Sequence, residues 1–117
     1  MSLPNFAGWQ ARHFGADWYA LSLPHHLFHF TPETLQRLLE TCGFRLCARE
    51  GRFGSANYHS LKHSLLNRMT RRYGSRAGWL AYYLLKPFLH PLDWITTHAG
   101  GGAHQVVCAE RPAGARP

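Results

Sequence analysis

The chain has 117 residues, 45% hydrophobic, 14% aromatic and 16% charged, which suits one small domain and excludes both a disordered tail and a long solvated helix. Thirteen Lys and Arg against six Asp and Glu give a formal net charge of +7. Three cysteines form no Cys-x-x-Cys pair and no even framework, and the longest uncharged, apolar-rich stretch (77–85) is far short of the ~20 residues of a bilayer span.

Met-Ser-Leu-Pro-Asn opens without a basic region and an apolar run, so no signal peptide is expected and a reducing, cytoplasmic compartment follows. Residues 1–30 read as an irregular aromatic arm: Phe6, Trp9, Phe14, Trp18, Tyr19, Phe28 and Phe30 recur without a period of 2 or 3.6, and Gly8, Gly15 and Pro24 punctuate them. Thr31-Pro32-Glu33 is a helix opening, with Thr31 as N-cap and Pro32 at the first helical position. Leu35, Leu38, Leu39 and Cys42 share one face, and Gly43 and Phe44 close the helix in a Schellman-type turn, so a helix is predicted over 32–42.

The alternation from Phe44 to Glu50 predicts a half-buried strand, broken at 51–56. Tyr58, Leu61, Leu65, Leu66, Met69 and Tyr73 then repeat at helical spacing as far as Gly74. A second, more apolar helix is predicted from about Arg76 to Lys86, ending at Pro87. His104–Glu110 is a last strand, and 111–117 is expected to fray. Almost the whole charge imbalance lies in 51–76, where Arg52, Lys62, Arg68, Arg71, Arg72 and Arg76 meet no acid. Such a patch suits phosphate, anionic lipid or an acidic protein face.

The ordered residues Pro4-Asn5, Ala11-Arg12-His13-Phe14-Gly15, Trp18, Leu23-Pro24, His26-Leu27, His29-Phe30-Thr31, Thr34-Leu35, Leu38-Leu39 and Gly43-Phe44 make a pattern. It resembles the second half of class I S-adenosylmethionine-dependent methyltransferases over about residues 4–50, and Gly102 with Val106–Glu110 resembles that family's final strand. The resemblance implies that Pro-Asn ends a central parallel strand and that the arm crosses the active-site mouth. It also implies that the helix and last two strands complete the sheet and that the insertion between them touches substrate. The chain departs from the family in lacking the strand, Gly-rich turn and helix that hold the methyl donor, and the acid that binds its ribose. A truncated product, a remnant and one piece of a split enzyme all fit. The fold expected is α+β or incomplete α/β: the C-terminal portion of a Rossmann-like methyltransferase, with one capped helix, an antiparallel strand pair and a two-helix insertion.

The function implied is methyl transfer from S-adenosylmethionine to a small or lipid-like acceptor, inactive in this chain alone. His29 is the catalytic candidate, because imidazole titrates near neutral pH; Asn5, Trp9, Arg12, Trp18, His25 and His26 are the substrate-side candidates. The competing reading of the histidines is that they only hydrogen-bond the helix entry. His59 and His63 share a helix face but lack a third metal ligand at suitable spacing, so a solvated face is preferred. Cys42 and Cys47 fall at a helix end and in a strand, where buried thiols are inert. The basic helix followed by Trp79, Tyr82, Tyr83, Phe88 and Trp94 has the composition of helices that lie in a lipid interface. The alternative function is therefore a non-catalytic association module that binds an anionic membrane surface, at the inner face of a membrane, or a protein partner, including a completing subunit or a second copy. Nucleic acid ranks low, because no helix-turn-helix, zinc-finger or RNP-like signature accompanies the charge.

Overall fold

The computed structural model describes residues 1–50 and 54–112. In chain order it holds β1 (Ser2–Pro4), α1 (Trp9–Phe14), two 3₁₀ turns (Gly15–Asp17 and Tyr19–Leu21), α2 (Pro32–Thr41), β2 (Arg45–Glu50), α3 (Gly54–Tyr73), α4 (Ser75–Thr96), a π-helical turn (Thr97–Gly101) and β3 (His104–Glu110). This is an α+β fold of four α-helices and one antiparallel three-stranded sheet among the described residues.

The arm is more regular than its sequence suggests. Its first residues add a third strand to the predicted pair, giving the order β1-β3-β2 with β3 antiparallel to both neighbours. β1 and β2 therefore run in the same direction. Three residues with one apolar side chain on the sheet's packed face carry no legible alternation, so β1 escapes sequence reading.

α2 forms as its sequence dictates. Thr31 Oγ1 accepts the Thr34 N–H at 3.2 Å, and Thr34 Oγ1 accepts the Thr31 N–H at 2.9 Å, a reciprocal capping box. At the other end Phe44 N–H donates to Leu39 O and Gly43 N–H to Glu40 O, with Gly43 at φ 78°, which completes the Schellman closure. Leu35 and Leu39 are buried against Leu3, Leu46, Val107 and Ala109 on one face of the sheet.

β2 departs from its predicted alternation. The register passes from Leu46 opposite Ala109 to Ala48 opposite Cys108, leaving Cys47 as the extra residue of a bulge. Leu46 is half-buried as expected, but Ala48 is exposed. All three cysteines, Cys42, Cys47 and Cys108, are exposed too, which corrects the reading of Cys42 and Cys47 as buried thiols. α2 covers only one face of the sheet, and Cys108 points to the bare one.

The two-helix insertion is present. α3 starts at Gly54, ahead of the predicted Asn57; of the break expected at 51–56, residues 51–53 lie outside the described residues. α3 turns into α4 at Gly74, φ 88°, and Leu61, Leu66, Tyr82 and Leu89 form the core of the hairpin with Ala11, Phe14, Trp18 and Ala20 of the arm. α4 does not stop at Pro87 but runs through Pro87 and Pro91 to Thr96. Both prolines are exposed, so the Tyr83 and Pro87 carbonyls that lose an N–H partner lie on the solvent side, where water can reach them. Tyr82 and Leu89, buried on the opposite side, hold the helix against α3 across the interruption. The expected frayed tail, 111–117, is described only as far as Pro112.

The Cα radius of gyration is 16.5 Å and the extents are 58 × 28 × 17 Å. A compact chain of this length would have a radius near ~13 Å. The helical hairpin thus projects from the small sheet rather than wrapping it.

Candidate functional site

The sequence candidates meet at the end of β1. Asn5 is buried; its N–H donates to Ala103 O at 2.8 Å and its Oδ1 accepts the Ala7 N–H at 3.1 Å. The Phe6 N–H donates to Phe30 O, and Gln105 Nε2 donates to the same carbonyl at 3.2 Å. These bonds pin both ends of the arm to β3. Asn5 is thereby a turn-former, with its side-chain oxygen spent on the backbone.

Over this junction lie Phe6, Trp18, His26 and His29. The His29 ring centroid is 5.6 Å from Phe6, 6.5 Å from Trp18 and 6.4 Å from His26. His29 Nε2 lies 2.9 Å from Leu21 O, and a carbonyl only accepts, so Nε2 is the donor in this bond. Trp18 is 2% exposed, and its indole N–H has no acceptor among the described residues. A buried donor left unpaired costs about 1–3 kcal/mol.

The other candidates fall elsewhere. Trp9 stacks on His13 at 4.7 Å and lines an apolar groove with Phe14, Leu65 and Leu92. Arg12 and His25 are exposed. The cluster therefore holds His26, His29 and Trp18, with Asn5 as its floor, and not Trp9, Arg12 or His25.

Beside the arm is a cavity of about 500 Å³ lined by Tyr19, Ser55, Tyr58, His59, Lys62, Tyr82 and His104. Its volume lies in the range of small-molecule sites. The Tyr19 N–H donates to Ser64 Oγ at 2.9 Å, which fixes the arm on α3, and the Tyr19 ring lies 4.8 Å from His63 and 5.2 Å from His59. Lys62 Nζ sits 5.1 Å from the Tyr82 ring centroid. Burial, and then the charge of His26, hold His104 below the usual imidazole range, which favours its neutral form. Burial first, then His59 and Lys62, does the same to His63.

Asn57 ties this wall together. It is 1% exposed; its Oδ1 accepts the His104 N–H, its Nδ2 donates to Thr97 Oγ1, and its carbonyl accepts from Gln10 Nε2 at 3.1 Å. Nothing in the sequence singles out Asn57, Tyr19 or Lys62 for the cavity. The one available signal was polarity at a helix position whose neighbours three and four residues on, Ser60 and Leu61, are core-facing.

A second polar link joins arm and insertion. Asp17, 6% exposed, accepts from Arg71 NH2 at 2.6 Å and lies 3.6 Å from Arg68 Nε. The Arg71 hydrogen bond holds its carboxyl below the usual range, against the opposing effect of burial. Arg68 also bonds the His13 carbonyl and lies over the Phe14 ring. Part of the basic segment is thus engaged with the arm.

The described residues do not fit S-adenosylmethionine. The turn after β1 contains Gly8, but a Cβ there would stand 2.6 Å from Gly102 O, 3.0 Å from Asn5 O and 3.2 Å from Gly101 O. Carbonyls fill the space where a donor's carboxylate would need N–H groups. Glu50, the acid that closes β2, is separated from β1 by β3 and cannot serve a ribose at the β1 turn. The segment 100–102 leads into a strand, and Gly101 lies against Trp9 and Thr96. Among the described residues no group of three or more His, Cys, Asp or Glu could hold a metal ion; His59 and His63 lie beside Tyr19 with their rings tilted to one another. No helix among them is long and apolar enough to cross a membrane. Comparison with family models, with curated proteins and with solved structures found no match.

Proposed function

We propose that this chain is the acceptor-side part of an S-adenosylmethionine-dependent methyltransferase of the Rossmann-like class, with the donor bound by residues outside it. The observation that carries the reading is the outer edge of β1. Apart from one bridge, Asn5 to Phe30, that edge pairs with nothing among the described residues, while β1 and β2 point the same way on either side of β3. That nearly unpaired edge leaves room for a further strand, parallel to β1, beside it. The resemblance of Pro4-Asn5 to the end of a central strand asks for that continuation.

In this reading the cluster over the β1 end meets the acceptor. His29 Nδ1 is the basic atom, held by the Leu21 carbonyl on the other nitrogen, and its task is to take the proton of an acceptor hydroxyl or amine. Phe6, exposed beside His29, supplies an apolar wall, and the buried Trp18 ring supports it from below.

The test supplies the missing half. The cofactor-binding half of a complete member of this methyltransferase group is co-expressed with the present chain. The two are expected to co-purify one to one, to bind S-adenosylmethionine by calorimetry, and to release S-adenosylhomocysteine with that member's acceptor. His29→Ala is expected to lower turnover at least tenfold with donor binding unchanged. A fused version that binds the donor but turns over nothing, or an undiminished His29→Ala, would overturn the proposal.

A further inference from the structure

α4 buries one side against α3 and leaves the other bare. Leu80, Tyr83, Leu84, Phe88, Trp94 and Ile95 are each between 57% and 66% exposed. Their spacing of three, four and seven puts them in one stripe, roughly 140° wide at 100° per residue and ~22 Å long at 1.5 Å per residue. The exposed prolines Pro87 and Pro91 fall within it. An apolar face of this length on a helix that is already packed needs a partner.

The charges around the stripe choose that partner. From 54 to 101 the chain carries Lys62, Arg68, Arg71, Arg72, Arg76 and Lys86 against the single acid Asp93, a net +5. Asp93 lies about 140° round the helix from Leu80, outside the stripe and half-buried. Arg68 and Arg71 are spent on the arm, whereas Arg72, Arg76 and Lys86 are exposed near the stripe or at its N-terminal end. Two stripe residues are Trp and Tyr, the side chains that favour a lipid-water boundary. Beside the stripe, Leu85 and Phe88 form the lip of the apolar groove of about 210 Å³ that Trp9, Phe14 and Leu65 line. A second copy of this basic face would bring like charges together, and an acidic protein would meet a stripe almost without polar groups.

We infer that α4 lies flat in the boundary of an anionic lipid membrane, with Leu80, Leu84 and Phe88 among the acyl chains and Arg72, Arg76 and Lys86 at the headgroups. No helix among the described residues is long and apolar enough to span, so the contact proposed is peripheral. This inference stands on α4 and the basic rim alone, and is independent of the methyl-transfer reading.

The experiment is co-flotation of the full chain with vesicles of phosphatidylcholine alone and with 30% phosphatidylglycerol. Binding to the anionic vesicles is expected, at least tenfold stronger than to neutral ones, with a blue shift of tryptophan emission. Each basic residue at the surface is worth about a fivefold change in partition, so Arg72→Gln/Arg76→Gln/Lys86→Gln should flatten the preference. Leu80→Ser/Leu84→Ser/Phe88→Ser should lose at least tenfold in binding. Because these side chains are mostly exposed, its circular dichroism should match that of the parent, which separates lost binding from lost fold. No binding to anionic vesicles, equal binding to both compositions, or an unaffected serine variant would each overturn the inference. Dimers that the serine variant converts to monomers, without vesicle binding, would assign the stripe to a second copy instead.

Discussion

Gly8 offers the sharpest test of how the arm is mounted. It precedes α1 with φ −65°, a value open to any residue, so backbone freedom is not what it provides. What it provides is room: a Cβ would meet three backbone carbonyls, those of Gly102 at 2.6 Å, Asn5 at 3.0 Å and Gly101 at 3.2 Å. None can rotate away, because Asn5 and Ala103 are locked by the bond between them and β3 follows directly. Overpacking of this kind costs about 1–3 kcal/mol, and three immobile oxygens place Gly8→Ala at ~2–3 kcal/mol. With a urea slope of about 1–3 kcal/mol per molar, the midpoint should fall by ~1 M or more. Gly78→Ala is the control. Its Cβ would meet the Thr70 hydroxyl at 2.5 Å, a side-chain oxygen that can turn, and only one backbone atom tightly, Thr70 N at 3.3 Å, while alanine in a helix interior gains about 1 kcal/mol over glycine. That variant should stay within ~1 kcal/mol of the parent. Urea unfolding followed at 222 nm decides the matter: a Gly8→Ala midpoint equal to the parent's, or a Gly78→Ala loss exceeding it, would refute the packing described here.

Asp17→Asn should cost about 1–3 kcal/mol at pH 7, since it removes the charge and puts an amide where a carboxylate oxygen accepts from Arg71, while Arg71 itself stays largely hydrated. Because the Asp17 pKa is lowered in the fold, its contribution is complete above the ordinary value of 3.8 and fades as pH falls below it; a variant-to-parent gap that persists at pH 2 would contradict this. His13, His63 and His104 are all lowered, chiefly by burial, so the neutral forms favour folding and stability should begin to drop as pH falls through 6.5, seen as a falling urea midpoint between pH 7 and 5. A flat midpoint over that interval counts against the partial burial of His63 and His104. With all three thiols exposed, Ellman's reagent should titrate three per chain without denaturant. Cys47 should react last, because desolvation and then Glu110 push its thiol up; fewer than three, or Cys47 first, would contradict the described surface.

The elements that sequence reading reached are those whose signals are local. Thr31, Pro32, Gly43 and Phe44 act within a few residues of themselves, and the helix they bound is where the sequence puts it. The hairpin of α3 and α4 was legible from periodicity, but its length was not, because Tyr82 and Leu89 hold α4 together across two prolines and that support comes from another helix. β1 needed a partner about a hundred residues away, and no pattern in Ser2-Leu3-Pro4 announces it. The same holds for the site. His26, His29 and Trp18 were nominated by resemblance and do converge, whereas Trp9 and Arg12 belong to a helix whose orientation only the packing on α3 reveals. Asn57 and Tyr19 enter through hydrogen bonds to α1, α3 and β3 that leave no trace in composition.

Both of the sheet's other strands depend on β3, the last strand in the chain, because neither touches the other. Ser2 waits for Val106 and Arg45 for Glu110, so neither ladder can close until residues 104–110 have been made. The long loops this requires carry an entropic toll that neighbouring helices, whose contacts are near in sequence, escape. During synthesis the hairpin can therefore mature first and serve as the anvil on which the two early strands are later clasped by the late one.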